Sequence, residues 1–270
     1  MKFNYDEYYS RLKIMIANYG AINNIPGLKD NLKIIQECLI GLDFAVDVYS
    51  DNNTADIIVA RRKPVNSNTW LGFYAHYDVE TIESLGWKSD PKTLTDVEDR
   101  LFGRGIADNL GIILIRLMAL ENLVDSKNFP GIVWVFQGEE EIGSPFAHKV
   151  FPTLALPEVE LWLEETGYFD ISTSRQRFLT LNEDQKVVLL KPLLEKHLVG
   201  IDFTTYTENR SLTKFDKCPF LSHLLGAKPY LGLGPNDEYS NIHKPNESLS
   251  KITIEISYNQ TKELLHYYGV

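Results

Sequence analysis

The sequence predicts an α/β fold, a three-layer sandwich whose central, mostly parallel mixed sheet carries helices on both faces. Short runs of β-branched and aromatic residues alternate along the chain with longer segments of helical periodicity. The run GIVWVFQ at 131–137 is apolar throughout, as is typical of a strand buried on both faces. Because the 270 residues show neither a repeat nor a Gly/Ser linker, we predict one catalytic domain over 1–270.

Helices are predicted where apolar residues recur every three or four positions. The segment 110–124 is apolar for too long to be a strand, so it is interpreted as a buried helix. Pro192 is expected to kink or split its helix, and Ser248 or Ser250 is a plausible cap for the last one. The predicted helices are 5–19, 28–41, 110–124, 182–198 and 248–268.

Strands are predicted where four or more apolar, β-branched or aromatic residues follow one another between turn signals. A stretch rich in Asp, Glu and Lys at about 80–100 is predicted to be a loop. The predicted strands are 44–50, 55–62, 69–79, 131–137, 159–165, 201–207 and 228–234.

The composition argues against two classes of binding partner. A formal net charge of −10 without a basic block argues against nucleic acid and against an anionic membrane surface. No stretch approaches 18 uninterrupted apolar residues, and the N-terminus lacks the apolar core of a signal peptide. Cys38 and Cys218 stand in no metal-binding spacing and are expected to be free thiols, which favours a cytoplasmic location.

Acidic residues and histidines follow the predicted strands. Ligands of α/β folds gather at the carboxyl ends of strands, so these residues are the candidates for chemistry. His76 and Asp78 end one strand, three glutamates follow GIVWVFQ, and a further pair follows VELWL. Asp108 begins the buried helix and His243 lies in a polar loop ahead of the last helix. Such a mixed nitrogen and oxygen set suits zinc, manganese or cobalt better than magnesium alone.

Five of these segments also carry a family resemblance. HYDVE, GRGIADNLG, EEEIGS, LEETG and HKPNESLS occur in this order. They resemble the metal-site motifs of the two-zinc exopeptidase and deacylase family that includes aminoacylase, succinyl-diaminopimelate desuccinylase, peptidase T and glutamate carboxypeptidase. The resemblance covers roughly residues 70–168 and 230–250. It implies a zinc-exopeptidase-like fold.

The resemblance also implies an activity. The chain would be a metal-dependent hydrolase that cleaves an amide bond in small peptides or N-acyl amino acids. The attacking group would be a hydroxide that bridges two divalent ions, most simply zinc, with cobalt or manganese as alternatives. Asp108 would bridge both ions, and a cis peptide bond often follows this residue in the family. The implied metal ligands are His76, Asp108, Glu141, Glu164 and His243.

Two further residues are implied to act without binding metal. Asp78 would orient His76, and Glu140 would be the general base. A shift of register by one would make Glu139 the base and Glu140 the ligand, but the pattern EE-x-GS favours the later pair. Glu139 is then expected to face solvent or a basic neighbour, and Glu165 remains an alternative to Glu164.

The sequence departs from the family in two places. The lysine of the usual D-x-K-G segment is replaced by Leu110. About 172–228 is a short replacement for the inserted lid domain, so the usual lid-mediated dimer is not expected. An aminopeptidase with an open, lidless site and a catalytically inactive metal- or ligand-binding homologue are therefore the alternatives.

Overall fold

The computed structural model describes residues 2–51, 54–82, 85–181, 185–209, 219–226 and 228–270. Cys218 and parts of the segment 172–228 lie outside these residues. In the described part of the chain, every helix is too short or too polar to cross a bilayer.

The helices predicted from apolar periodicity are present, with changes at their ends. α5 is not split at Pro192 but continues past it to Glu195. Ser250 occupies the N-cap position of the last helix without a side-chain capping bond. The helices are α1 Tyr5–Asn18, α2 Ile25–Gly41, α3 Gly111–Leu123, α4 Ala147–Val150, α5 Gln185–Glu195 and α6 Lys251–Gly269.

The predicted strands are also present, together with others that the sequence did not indicate, most of two or three residues and one, Arg175–Thr180, of six. The loop expected at about 80–100 contains β4 and the first residue of β5, and Ser248 lies in a strand rather than in the last helix. The strands are β1 Ala45–Tyr49, β2 Ile57–Arg62, β3 Trp70–His76, β4 Thr95–Val97, β5 Arg100–Phe102, β6 Gly131–Gln137, β7 Leu161–Glu164, β8 Tyr168–Asp170, β9 Arg175–Thr180, β10 Thr204–Asn209, β11 Tyr230–Gly232, β12 Asn236–Asp237 and β13 Ser248–Ser250.

A ten-stranded mixed sheet forms the middle layer, in the order β1-β2-β6-β3-β7-β11-β9-β8-β12, with β10 paired to β9. The central strands β6, β3, β7 and β11 are parallel, whereas β1 and β2 are antiparallel to their neighbours. The predicted α/β class with a mixed sheet is confirmed. Since β6, β3 and β7 run side by side in the same direction, their carboxyl ends meet at one edge.

The two faces of the sheet are covered differently. Side chains of β6 alternate between them: Trp134 packs in the cluster formed with α1, α2, α3, α5 and α6, while Val135 packs with α4 and the helical turn Phe220–Leu225. Trp162 of β7 fills the second face, and a Cβ at Gly72 would lie only 2.4 Å from its ring. The long helices thus lie on one face and short helical turns on the other.

Candidate metal centre

The candidate residues meet at the shared carboxyl edge of the central strands. His76 is the last residue of β3, and Glu140 and Glu141 follow β6 in a short helical turn, Glu140–Ile142. A glycine precedes this turn because a Cβ at Gly138 would lie 2.4 Å from the Tyr77 ring. The order of the parallel strands therefore brings together residues that are 65 positions apart in the chain.

Asp108 lies between the two candidate histidines. Its Oδ1 is 2.8 Å from His76 Nε2, and its Oδ2 is 3.1 Å from His243 Nε2. Glu141 Oε2 is 3.0 Å from the same His243 nitrogen. The peptide bond after Asp108 is cis, as the resemblance implied. One carboxylate thus contacts one imidazole with each of its oxygens.

Asp78 holds two parts of the site together. Its Oδ1 lies 3.3 Å from His76 Nδ1, and its carbonyl oxygen lies 3.2 Å from the same nitrogen. Its carboxylate oxygens also accept main-chain N–H bonds from Glu140, at 3.2 Å, and from Glu141, at 3.0 Å. Asp78 therefore positions the glutamate turn as well as the histidine.

Glu139 does not face solvent or a basic neighbour, so that expectation is wrong. Its side chain is buried, and its carboxylate accepts main-chain hydrogen bonds from Ala55 at 3.0 Å and from Phe146 at 3.1 Å. These bonds tie the turn after β6 to the loop before β2. Glu139 is consequently engaged in the fold, while Glu140 and Glu141 face the cavity beside His243.

Two adjacent glutamates lie at the end of β7, and the first of them, Glu164, was expected to bind the first metal ion. Glu164 Oε2 accepts hydrogen bonds from Thr166, through both its N–H and its hydroxyl, and from the Tyr230 hydroxyl. Glu165 instead places Oε1 3.9 Å from His76 Nε2. The residue that approaches His76 is therefore Glu165, the alternative left open by the sequence.

Glu247 is a site residue that the sequence reasoning did not single out. Its buried carboxylate accepts main-chain bonds from Gly105 at 3.0 Å, Ala107 at 2.8 Å and Asp108 at 3.1 Å. It also pairs with the buried Arg104 guanidinium at 2.7 Å. The signal available in the sequence was its position in HKPNESLS, four residues after His243.

The electrostatics of the cluster show an excess of negative charge. Burial by itself lowers the pKa of His76, but the carboxylates of Asp108, Asp78 and Glu140 together hold this pKa well above the ordinary value. Hydrogen bonds to Asp108 and Glu141 raise the pKa of His243 to about 10. Burial raises the pKa of Glu141 and of Glu165, and the neighbouring Glu164 adds to the rise at Glu165. Protons are therefore retained where a cation could replace them.

Two buried carboxylate oxygens without hydrogen-bond partners indicate whether the site fits a metal ion. Glu141 Oε1 and Glu165 Oε2 are both buried and have no hydrogen-bond partner in the described structure. Ligand atoms of His76, Asp108 and Glu141 lie within 4.8 Å of one another. Because a buried carboxylate oxygen without a partner is costly, these atoms fit a divalent ion that would accept them as ligands.

A cavity of about 510 Å³ opens beside the cluster. The described residues that line it are acidic, small or apolar apart from one histidine, and none is Lys or Arg. They are Glu80, Glu140, Glu141, Ile142, Gly143 and His243. The cavity is large enough to take a small substrate next to the candidate metal ligands.

Residues 72–266 match the model of peptidase family M20/M25/M40. The chain belongs to this family. Family members depend on divalent metal ions. The M20 match includes HYDVE and HKPNESLS as well as all the motifs between them.

Relatives of known name match shorter parts of the chain. A cysteinylglycine-S-conjugate dipeptidase of Corynebacterium striatum is 32% identical over 146 residues, which are 52% of this chain and 32% of the relative. A β-Ala-His dipeptidase of Rattus norvegicus is 37% identical over 157 residues, again 52% of this chain and 32% of the relative. The chain spans about a third of the length of these curated relatives.

The fold is shared with solved structures of the M20 family. A metallo-carboxypeptidase of Sulfolobus solfataricus superposes with a TM-score of 0.77 at 14% identity, over 98% of this chain and 99% of that one. At this identity the likeness concerns the fold alone.

Proposed function

We propose that this M20 chain is a two-ion metallopeptidase that hydrolyses an amide bond in short peptides. The observation that carries the proposal is the position of Asp108, whose two carboxylate oxygens contact His76 and His243 at 2.8 and 3.1 Å. A carboxylate that is shared in this way suits a bridging ligand between two ions about 3.5–4 Å apart.

Each ion would have its own group of ligands. His76 and Glu165 would hold the first ion, and Glu141 and His243 the second, with Asp108 common to both. We propose Glu165 in place of Glu164 because Glu164 is bonded to Thr166 and Tyr230. The unpartnered oxygens of Glu141 and Glu165 support this assignment, since each would gain a partner.

The remaining residues would handle protons and orientation. Bound divalent ions would polarise the scissile carbonyl and make the attacking water more acidic. Glu140, which lines the cavity, would take a proton from that water and deliver it to the leaving amine. Burial raises the pKa of Glu140 although the nearby His76 opposes the rise, which suits a group that must both accept and release a proton. Asp78 would hold His76 and the turn that carries Glu140 in position relative to each other.

Peptides are the substrate class that the relatives favour, because the two described above are named dipeptidases. We also propose that about 172–228 takes the place of an inserted lid. In support, the strands of this segment that are described, β9 and β10, pair within the central sheet. A site without a lid would be open to the amino-terminal end of longer peptides, as in an aminopeptidase.

A substrate panel with the purified chain tests the proposal. Dipeptides, aminoacyl-amides and N-acetyl amino acids would be incubated with protein that had been loaded with zinc, cobalt or manganese. We expect hydrolysis of peptides with a free amino group, loss of that activity with a chelator, and recovery when the ion returns. Protein that binds metal but cleaves none of the three classes would contradict the proposal and favour an inactive metal-binding homologue.

A further inference from the structure

Glu80 is a carboxylate at the candidate metal centre to which neither the motifs nor the mechanism assigns a role. It follows β3 in the segment HYDVE, two residues after Asp78. Its Oε1 accepts hydrogen bonds from the N–H of Thr81 at 2.6 Å and from the Thr81 hydroxyl at 2.8 Å. The carboxylate is therefore held in one orientation at the wall of the cavity.

This carboxylate converges with two ligands proposed for the second ion. One oxygen of Glu80, one oxygen of Glu141 and one ring nitrogen of His243 lie within 4.8 Å of one another. The Glu141 side chain is 5% exposed, and its Oε1 has no hydrogen-bond partner. The carboxylate of Glu141, which Glu80 approaches, thus keeps one buried oxygen that could bind a cation.

The charges around the cavity support the same conclusion. Glu80, Glu140 and Glu141 all line it, and His243 is the one basic side chain among the described residues of the lining. Several carboxylates in a partly buried cavity repel one another unless a cation lies between them. Because Glu141 and His243 both also belong to the Asp108 cluster, the cation next to Glu80 would be the second metal ion.

We propose that Glu80 is a further ligand of the second metal ion and that it makes this site favour manganese relative to the first. The inference rests on the two-ion centre proposed above. With Glu80, the second ion would have three carboxylates and one imidazole, whereas the first would have two carboxylates and one imidazole. Carboxylate-rich, higher-coordinate sites suit Mn²⁺, while zinc is satisfied by fewer, nitrogen-containing ligands.

Metal titration of the full chain tests this inference without an activity assay. Metal-free wild-type protein, Glu80→Gln and Glu37→Gln would each be titrated with Mn²⁺ and, in competition with a chelating dye, with Zn²⁺. Glu37 is the matched control because its side chain is 66% exposed and lies on α2. Circular dichroism would establish that all three proteins are folded.

We expect two Mn²⁺ ions to bind the wild type and the Glu37→Gln control alike. In Glu80→Gln, the Mn²⁺ affinity of one of the two sites should fall by at least about tenfold. Removing a residue that only hydrogen-bonds to a metal ligand costs about 10–100-fold in affinity, so removing a ligand should cost at least the smaller of these factors. Zn²⁺ affinity should fall by a smaller factor, and the Mn²⁺ electron paramagnetic resonance signal of that site should change.

Two results would overturn the inference. If Glu80→Gln binds both ions as the wild type does, Glu80 is not a ligand, and a rise in KM for free-amine peptides would make it a substrate contact instead. If the wild type itself binds fewer than two ions, the two-ion centre fails and this inference fails with it. The first result leaves the proposed function intact, whereas the second removes it.

Discussion

Glu247 accepts a hydrogen bond from the main-chain N–H of Asp108, at 3.1 Å and across 139 residues of sequence. The same carboxylate accepts the N–H groups of Gly105 and Ala107 and pairs with Arg104. The loop before α3 is thereby fastened to the segment that follows His243. Glu247 therefore positions the residue that lies between the two histidines, through hydrogen bonds to the main chain around it.

Replacing Glu247 with Gln should destabilise the protein strongly. The substitution leaves the buried Arg104 without its counter-ion and turns an amide group toward main-chain donors, which should lower the free energy of unfolding by about 3–5 kcal/mol. Urea denaturation of the metal-free protein measures this. Glu208→Gln is the control, because it breaks an exposed pair with Arg177 and should cost only about 0–1 kcal/mol. Equal losses in the two variants would show that Glu247 has no special role.

Adjacent glutamates should respond differently to the same substitution. Glu140→Gln should lower kcat by about 10²–10⁴-fold while leaving the metal content unchanged, because it removes the proposed proton acceptor only. Glu139→Gln should instead lower the melting temperature, because it disturbs the bonds from Ala55 and Phe146. Kinetics, metal analysis and thermal unfolding distinguish the two. Full activity in Glu140→Gln would move the base elsewhere.

A second pair of adjacent glutamates allows the same comparison for metal binding. Glu165→Gln should weaken the first ion by about tenfold or more, because it removes a proposed ligand. Glu164→Gln should keep that affinity and lose stability, since its carboxylate bonds to Thr166 and Tyr230. Calorimetric titration with zinc or manganese measures the affinity. Loss of an ion in Glu164→Gln alone would restore the assignment that the motif implied.

The stability of the metal-free protein should fall as pH rises above about 6. His243 has a pKa of about 10 in the folded protein, through its hydrogen bonds to Asp108 and Glu141, against about 6.5 in an unfolded chain. The folded state therefore keeps a proton that the unfolded state releases. Its stabilising effect is complete below about pH 6.5 and is lost as pH rises to about 10. The raised pKa values of Glu141 and Glu165 act in the same direction.

Melting temperatures between pH 6 and 9 measure this dependence. His243→Asn, which cannot titrate, should show a shallower fall than the wild type. A saturating divalent ion should raise the melting temperature more at pH 8 than at pH 6, because ligation displaces these protons. A wild-type slope equal to that of His243→Asn would exclude His243 as the source.

The sequence predicted the fold class and the long elements well because their signal is local. The continuous apolar run of β6 and the long, mostly apolar segment of α3 indicate burial directly. The strands that it missed are β4, β5, β8, β9, β12 and β13, and all of them except β9 have only two or three residues and leave no periodicity. β9 has six residues, but it begins with the polar run RQR and so lacks the apolar pattern from which strands were predicted. Pro192 was expected to kink or split its helix, yet α5 continues past it in the packed protein.

By itself, the sequence determined which strand ends carry acids and histidines, and therefore where a metal centre could form. Only the tertiary structure decided where each member of a run of glutamates lies and which groups it contacts. Glu139, Glu140 and Glu141 are chemically identical, as are Glu164 and Glu165. The pattern EE-x-GS favoured Glu140 and Glu141 within the first run, but it gave the wrong surroundings for Glu139, and the sequence left Glu165 open as an alternative to Glu164. Their environments differ because main-chain N–H groups and hydroxyls from distant segments meet Glu139 and Glu164. The proposed ligands Glu141 and Glu165 keep a buried oxygen without a partner.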